Sequence, residues 1–244
     1  HLPYYGRWYR FQLFWGFADG LHPALQKDAA WDKPEQSLNP ISERYRQNMI
    51  KHIKREIGDD PVLLDKVIPP YPPYGKRILI DNHWYRMLKR PNVELVVEGI
   101  ERVEPEGVRT RDGVLHQADV IVLATGFQAG RMLFPMDIRG KSGRSLREVW
   151  GEDDPRAYLG ITVPDFPNLY VLYGPNTNLG HGGSAIFHAE CQVRYVMQCL
   201  RDLLENGWQS MEVRRDVHDA YNARVDAAHE RMVWTHGGMS TWYK

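Results

Sequence analysis

The sequence has no charge excess, very few cysteines and no long apolar run. Lys and Arg together number 31, as do Asp and Glu, so the formal net charge is zero. Without a charge excess, nothing in the composition favours binding to nucleic acid or to an anionic membrane surface. No apolar stretch is long enough to cross a bilayer, and no signal peptide is recognisable. We therefore expect a cytoplasmic protein whose partners are neither nucleic acids nor membranes.

The two cysteines, Cys191 and Cys199, are not expected to form a disulfide. Both lie on one predicted helix, about 12 Å apart along its axis, which is beyond the reach of a disulfide. Reduced thiols agree with a cytoplasmic location. No metal site is expected either, because His181, His188 and Glu190 form no H-E-x-x-H motif and point to different helix faces.

The most informative segment that is present is 119–127, which reads D-V-I-V-L-A-T-G-F. Its β-branched and apolar residues predict a strand buried on both faces, as in a parallel sheet. The strand ends at Thr125 and Gly126, where small residues allow a second backbone or a flat ligand to approach. Ligands bind at this end of the strands in open α/β sheets. The segment predicts an α/β fold, Rossmann-like, with pieces of parallel sheet and helices.

A second candidate site is the glycine-rich turn 180–184, which reads G-H-G-G-S and follows a predicted strand at 169–173. A predicted helix begins directly after the turn and runs to Asn206. Backbone N–H groups in such a turn are free and are aligned with the positive end of the helix dipole. Ser184 is also a candidate for the residue that caps the helix.

The remaining pattern predicts further helices and strands. Asn39 is expected to cap a helix that has Pro40 in its first turn and ends at Gly58. Asp112-Gly113 is expected to form a turn between two strands. The other predicted helices are 2–25, 82–88, 146–150 and 217–233, and the other predicted strands are 78–80, 93–97, 99–103, 107–110 and 211–213.

Lys76 and Arg77 follow a proline-rich stretch and precede the predicted strand 78–80. Two adjacent cations at the start of a strand usually belong to a solvated edge. On the residues alone, their assignment to a site stays open.

Together, segment 119–127, the stretch P-N-L-Y-V-L-Y-G-P-N at 167–176 and the glycine turn before H-A-E-C-Q resemble the flavin-containing Baeyer–Villiger monooxygenases. The nearest branch is that of 4-hydroxyacetophenone monooxygenase, and the resemblance covers nearly the whole chain. No G-x-G-x-x-G motif follows a strand, so both dinucleotide fingerprints of such enzymes are missing. We therefore expect this chain to be the C-terminal part of a larger flavoprotein with two dinucleotide-binding domains.

The resemblance implies three regions and a set of site residues. Residues 1–70 would be a helical insertion with a proline-rich linker, 71–118 the returning part of the NADP-binding domain, and 119–244 the C-terminal part of the FAD-binding domain. Arg77 would be the active-site arginine beside the flavin, where a fixed guanidinium favours an anion. Lys76 would contact the 2′-phosphate of NADPH. The implied cofactor-binding residues also include Thr125, Gly126, Gly182, Gly183, Ser184 and Trp242.

The implied activity is an FAD- and NADPH-dependent oxygenation, in which one oxygen atom of O2 is inserted into a ketone or added to a heteroatom. The isolated chain is expected to be inactive and to self-associate, with a homo-oligomer as a further possibility. Two alternatives stay open: an N-hydroxylating flavoprotein monooxygenase, and a non-catalytic fragment or assembly module. A disulfide-type reductase is disfavoured because no paired redox cysteines occur.

Overall fold

The structure is a computed structural model that describes residues 4–18, 20–80 and 82–243. The chain divides into two compact units. Unit 1 consists of His1–Arg46, Pro70–Ile78 and Ala129–Lys244, and unit 2 consists of Gln47–Pro69 and Leu79–Gln128. The boundaries predicted at residues 70 and 118 separate regions that were assigned from the family resemblance. The division into two compact units does not test that assignment, which stays a prediction.

The described residues form seven α-helices, two 3₁₀ turns and three strands. The helices are α1 Tyr5–Ala18, α2 Pro40–Ile57, α3 Pro61–Val67, α4 Trp84–Met87, α5 Leu146–Trp150, α6 Ala185–Glu205 and α7 Arg215–His229. The 3₁₀ turns are His22–Leu25 and Val233–Thr235, and the strands are β1 Ile100–Glu104, β2 Gly107–Thr110 and β3 Leu115–Gln117. No helix in this part of the chain is both long and apolar enough to cross a membrane.

Helix α2 begins and ends where the sequence predicts. The Asn39 Oδ1 atom accepts hydrogen bonds from the N–H groups of Ile41 and Ser42, each at 2.9 Å. At the other end, Gly58 adopts a φ of 84°, and its N–H donates to the carbonyl of Lys54. A left-handed residue is needed to terminate the helix in this way, and glycine adopts that conformation without a Cβ clash.

Unit 1 has two apolar cores. The first, which we call the Trp234 cluster, contains the buried side chains of Leu25, Leu38, Met232, Val233 and Trp234. The second lies around α5 and contains Leu146, Trp150, Ala157, Val163 and Phe166. Helix α5 is held at its start by a reciprocal pair of hydrogen bonds between Ser145 and Glu148, a capping box.

Unit 2 contains an antiparallel sheet in the order β1-β2-β3. The hairpin predicted at 99–110 is confirmed, with Glu104 opposite Gly107. Gly107 permits the close pairing of β2 with β3, because a Cβ atom there would lie 2.1 Å from the carbonyl oxygen of His116. Arg109 forms two hydrogen bonds with the carboxylate of Glu104, at 2.6 and 2.9 Å, and these lower the pKa of Glu104.

Five predicted strands are not strands in the described structure: 78–80, 93–97, 119–127, 169–173 and 211–213. None of them has a ladder partner in the described part of the chain. The apolar side chains of 78–80 and of 120–123 are exposed, with Ile80 at 94% and both Val122 and Leu123 at 82%, whereas Val171 is buried. A strand requires a neighbouring strand to pair its N–H and C=O groups, and the sequence of one segment does not supply that neighbour. The α/β class is retained as helices with one small sheet.

The predicted N-terminal helix is shorter than expected, since α1 ends at Ala18 and a separate 3₁₀ turn follows. Four of its aromatic side chains are more than half exposed: Tyr5, Trp8, Tyr9 and Phe11. They contact mainly one another, through stacked pairs between Tyr5 and Tyr9 and between Trp8 and Phe11. An apolar surface of this kind favours self-association.

The 3₁₀ turn His22–Leu25 contacts the glycine turn through a pair of histidines. His22 Nδ1 lies 3.3 Å from His181 Nε2, and Gln26 Nε2 lies 3.0 Å from His22 Nε2. The amide nitrogen of Gln26 can only donate, so His22 Nε2 accepts and the proton of His22 lies on Nδ1. This proton is donated to His181, so the contact requires both rings to be neutral. Burial lowers the pKa of His181, and a positive charge on His22 would lower it further.

The histidine pair predicts a loss of stability in mild acid. Because folding lowers the pKa of His181, the unfolded chain binds the proton more readily. The stabilisation is therefore present above the unfolded-state pKa of about 6.5 and is lost as the pH falls through the folded-state value. Urea denaturation between pH 8 and pH 5 should show a smaller fall in the free energy of unfolding for His181→Asn than for the wild type. The control is His83→Asn at an exposed histidine of unit 2, and parallel curves for wild type and His181→Asn would contradict the assignment.

Candidate functional site

Six of the eight predicted site residues lie in unit 1: Lys76, Arg77, Gly182, Gly183, Ser184 and Trp242. Thr125 and Gly126 lie in unit 2. The three segments of unit 1 that carry the six residues are far apart in sequence. Their positions relative to the Trp234 cluster decide whether they form one site.

The segment before Lys76 is held against the Trp234 cluster by a close approach of its backbone. A Cβ atom on Gly75 would lie 1.9 Å from Met239 Cε and 3.4 Å from a methyl group of Val233. Tyr74 has a φ of 66° and packs against the same cluster. The edge of its ring contacts the ring of Tyr45, with centroids 5.5 Å apart. The backbone that presents the two cations is therefore fixed by packing.

Lys76 and Arg77 are exposed and have no carboxylate partner among the described residues. The Lys76 ammonium lies 5.2 Å from the centroid of the Tyr71 ring, a cation–π contact. Burial raises the pKa of Tyr71, so this ring stays a neutral phenol at neutral pH. Both cations thus retain their full capacity to bind an anionic ligand.

The glycine turn has the conformation and the free donors that the sequence predicts. Gly182 and Gly183 have φ values of 60° and 70°, in the left-handed region. The Ser184 hydroxyl accepts a hydrogen bond from the N–H of Phe187 at 3.3 Å and caps the 21-residue helix α6, which confirms its predicted capping role. The backbone N–H groups of residues 180–184 make no hydrogen bond with the part of the chain that the structure describes. An acceptor-rich ligand would satisfy them.

The glycine turn also rests on the Trp234 cluster. A Cβ atom on Gly180 would lie 2.8 Å from the Trp234 ring and 3.6 Å from Tyr243. The rings of Trp234 and Tyr243 are in contact, with centroids 5.1 Å apart. Trp242, the residue before Tyr243, is 51% exposed and so is free to contact a ligand. All three predicted segments of unit 1 therefore meet at the Trp234 cluster.

At Gly126 the described chain brings no second backbone close, and the approach of a flat ligand to Thr125 and Gly126 stays a prediction. Gly126 has a φ of 78°, which explains the glycine, but a Cβ atom there would meet nothing within 4 Å. The preceding residues are not in a strand, so no carboxyl edge of a sheet is formed at this point. Within unit 2 these two residues are exposed, and their contact with a cofactor stays a prediction.

Two residues near the site were missed by the sequence reasoning, Tyr173 and Gln192. Gln192 is only 2% exposed, and its Oε1 accepts a hydrogen bond from the backbone N–H of Tyr173 at 2.7 Å. The Tyr173 hydroxyl accepts a hydrogen bond from the N–H of Leu179 at 3.3 Å. A glutamine among apolar residues of a helix is a weak signal, because it does not show which backbone group the side chain meets.

The donor set fits a dinucleotide cofactor better than a metal. Among the described residues, no three His, Cys, Asp or Glu side chains are grouped so that they could hold a metal ion. Both cysteines are free thiols, as predicted. Two unpaired cations, a run of free N–H groups and an exposed tryptophan instead match the phosphates, the polar ring edge and the flat rings of such a ligand.

Comparison with known proteins finds relatives that are named as monooxygenases. No family model matches the chain. The uncharacterized monooxygenase y4iD of Sinorhizobium fredii is 43% identical over 243 residues, which cover 100% of this chain and 37% of that protein. A Baeyer–Villiger monooxygenase of Pseudomonas aeruginosa is 37% identical over 80% of this chain and 36% of its own length. The chain thus spans little more than a third of the curated relatives that it matches.

Among solved structures, the fold matches that of OTEMO in complex with FAD and NADP. The TM-score is 0.72 at 29% identity, over 83% of this chain and 38% of the OTEMO chain. The match confirms an α/β fold that occurs in a protein binding both dinucleotides. By sequence and by fold, the chain is similar to part of the Baeyer–Villiger monooxygenases.

Proposed function

We propose that the whole protein is an FAD- and NADPH-dependent monooxygenase that inserts one oxygen atom of O2 into a ketone and gives an ester. The observation that carries this proposal is that the segments with Lys76 and Arg77, with the glycine turn and with Trp242 all pack on the Trp234 cluster. The names of the relatives and the FAD and NADP of the OTEMO complex support the same cofactors. Oxygenation of a heteroatom is the alternative outcome for the same site.

The glycine turn would bind the polar edge of the FAD ring system. Its free N–H groups precede helix α6, so they and the helix dipole favour negative charge on the ligand oxygen that they bind. The backbone of Gly182, Gly183 and Ser184 would supply these donors. FAD, when bound, supplies the redox chemistry with NADPH and O2.

The two cations would act on different anionic groups. Lys76 is a compact charge on a flexible stem, which suits the 2′-phosphate of NADPH. Arg77 carries a planar guanidinium and lies two residues after the packed Gly75, so its backbone is held near the Trp234 cluster and its charge would lie beside the reacting atoms. Trp242 would pack on the nicotinamide nucleotide through its exposed face. Thr125 and Gly126 would contact FAD from their own segment.

The location and assembly of the protein form part of the same proposal. The two free thiols support a cytoplasmic location. The exposed aromatic face of α1 supports self-association of the isolated chain. The small-molecule ketone and O2 would be the reaction partners.

A second candidate, a non-catalytic module, is favoured by one observation. The described chain leaves the apolar segment 119–127 exposed and has no G-x-G-x-x-G motif for a pyrophosphate. Such a chain would take part in assembly without retaining a cofactor. The behaviour of the isolated chain toward FAD distinguishes the two candidates.

Arg77→Ala in the whole protein should lower the rate of ester formation by about 100-fold or more, because a fixed charge beside the reacting atoms is lost. FAD content should be unchanged, since no contact joins Arg77 to the glycine turn in the described part of unit 1. Product analysis with NADPH and O2 measures the rate, and the flavin absorbance measures the cofactor. The control is Arg90→Ala, another exposed arginine, and unchanged product formation in Arg77→Ala would refute its role.

Lys76→Ala should raise the KM for NADPH by about 10- to 100-fold, which corresponds to the loss of one hydrogen bond to a charged group. The KM for NADH should change little, because NADH lacks the 2′-phosphate. Steady-state oxidation of both nucleotides gives the comparison, with Lys51→Ala on α2 as a control at an exposed lysine. Equal changes for the two nucleotides would contradict a phosphate contact.

The isolated 244-residue chain should neither bind FAD stoichiometrically nor oxidise NADPH. The pyrophosphate of each dinucleotide is normally held by a G-x-G-x-x-G turn at the start of a Rossmann unit, and this sequence contains no such motif. The remaining contacts are too few to offset the entropy lost on immobilising a dinucleotide. Fluorescence titration with FAD and an NADPH oxidation assay provide the test, and tight binding with turnover would show that the expectation is wrong.

A further inference from the structure

The bend before the glycine turn contains two residues in an unfavourable backbone conformation. Tyr173 has a φ of 51° and Asn176 a φ of 60°, both in the left-handed region. Asparagine tolerates this region, whereas for a bulky tyrosine it is rare and costly. Such a conformation persists only where the surrounding structure holds it in place.

Gln192 supplies a contact that holds Tyr173. Its Oε1 accepts the Tyr173 N–H at 2.7 Å, and because a backbone N–H can only donate, the oxygen of the amide must face Tyr173. The side chain is only 2% exposed, so water does not compete for this bond. Gln192 lies two turns along α6, and the helix therefore connects the bend to the cap at Ser184.

The side chain of Tyr173 extends the connection into the glycine turn. Its hydroxyl accepts from the N–H of Leu179 at 3.3 Å and donates to Asn178 Oδ1 at 3.4 Å. The edge of its ring contacts the ring of His188 on α6, with centroids 6.2 Å apart. Leu179 directly precedes Gly180, which packs on Trp234. One residue thus connects α6 to the start of the turn.

The nitrogen atom of the Gln192 amide lowers the stability of the fold. Gln192 Nε2 is buried and has no hydrogen-bond partner among the described residues. An unpaired buried donor is destabilising, and a methionine of similar length would fill the same space without it. The benefit of glutamine at this position must therefore come from its bond to Tyr173.

We propose that Gln192 and Tyr173 are positioning residues that hold the glycine turn in the conformation that binds the cofactor. The inference rests on the proposed function, in which this turn binds FAD. In this proposal neither residue contacts the cofactor directly. They act through the backbone of Leu179 and Gly180, and so set the orientation of the free N–H groups at 180–184 before the ligand arrives.

The first measurement uses the 244-residue chain without cofactor. Gln192→Met keeps the length of the side chain and removes the acceptor, and Tyr173→Phe removes only the hydroxyl. Amide hydrogen exchange should become faster at Tyr173 and Leu179 in Gln192→Met, and at Leu179 alone in Tyr173→Phe. Gln198→Met, the same change on the exposed face of α6, and Tyr221→Phe on α7 are the controls and should leave both amides unchanged.

The second measurement uses the whole protein and FAD. Gln192→Met should raise the Kd for FAD roughly tenfold and Tyr173→Phe about threefold, in line with the loss of one buried and one weaker hydrogen bond. The double variant should be no weaker than Gln192→Met alone, because both changes release the same turn. A merely structural role would give additive effects on unfolding and none on the Kd for FAD.

The outcomes separate the inference from the proposed function. Faster exchange with an unchanged Kd, or additive effects in the double variant, would overturn the positioning role. Unchanged exchange in Gln192→Met would overturn the connection itself. A wild-type protein that binds no FAD would refute the proposed function, including the binding of the cofactor by the glycine turn. The exchange data would then still decide whether Gln192 holds Tyr173.

Discussion

The close approach of two backbone segments to one aromatic and aliphatic core is the constraint on which the candidate site depends. Gly75 and Gly180 lie against Met239 and Trp234 at distances that leave no room for a Cβ atom without movement of those side chains. Glycine at both positions lets a proline-rich loop and a glycine turn share one support. The cations that follow Gly75 and the free N–H groups that follow Gly180 are held together as a consequence.

Lys76 and Arg77 differ from the charged side chains that form ion pairs elsewhere on the described chain. Arg109 is paired with Glu104, for example, and Arg156 with Asp226. Exposed pairs of this kind contribute little to stability, but they neutralise the local field. Lys76 and Arg77 have no such partner in the described structure, so their charge remains available for a ligand even though the formal net charge is zero.

The local elements of the fold could be predicted because their signals are local. Asn39 and Ser184 cap helices through bonds to N–H groups two or three residues further on. The turn at Asp112 likewise needs only neighbouring residues, since its carboxylate accepts from Thr110 and Val114. Five strand predictions failed because a strand depends on residues that are distant along the chain. Segment 119–127 has the composition of a buried strand, but a ladder requires a partner that lies elsewhere in sequence.

By itself, the sequence determined six of the seven helices of the described chain, the caps at Asn39 and Ser184, the hairpin, the family resemblance and the residue types that a dinucleotide site requires, but it missed α3. Each of the correct predictions follows from neighbours along the chain or from the order of motifs. Only the tertiary structure decided which candidates meet. It joined Lys76, Arg77, the glycine turn and the Trp242 segment through the Trp234 cluster, and it connected Gln192 to Tyr173. The physical reason is that packing and buried hydrogen bonds join residues far apart in sequence, and a one-dimensional pattern contains no record of those distances.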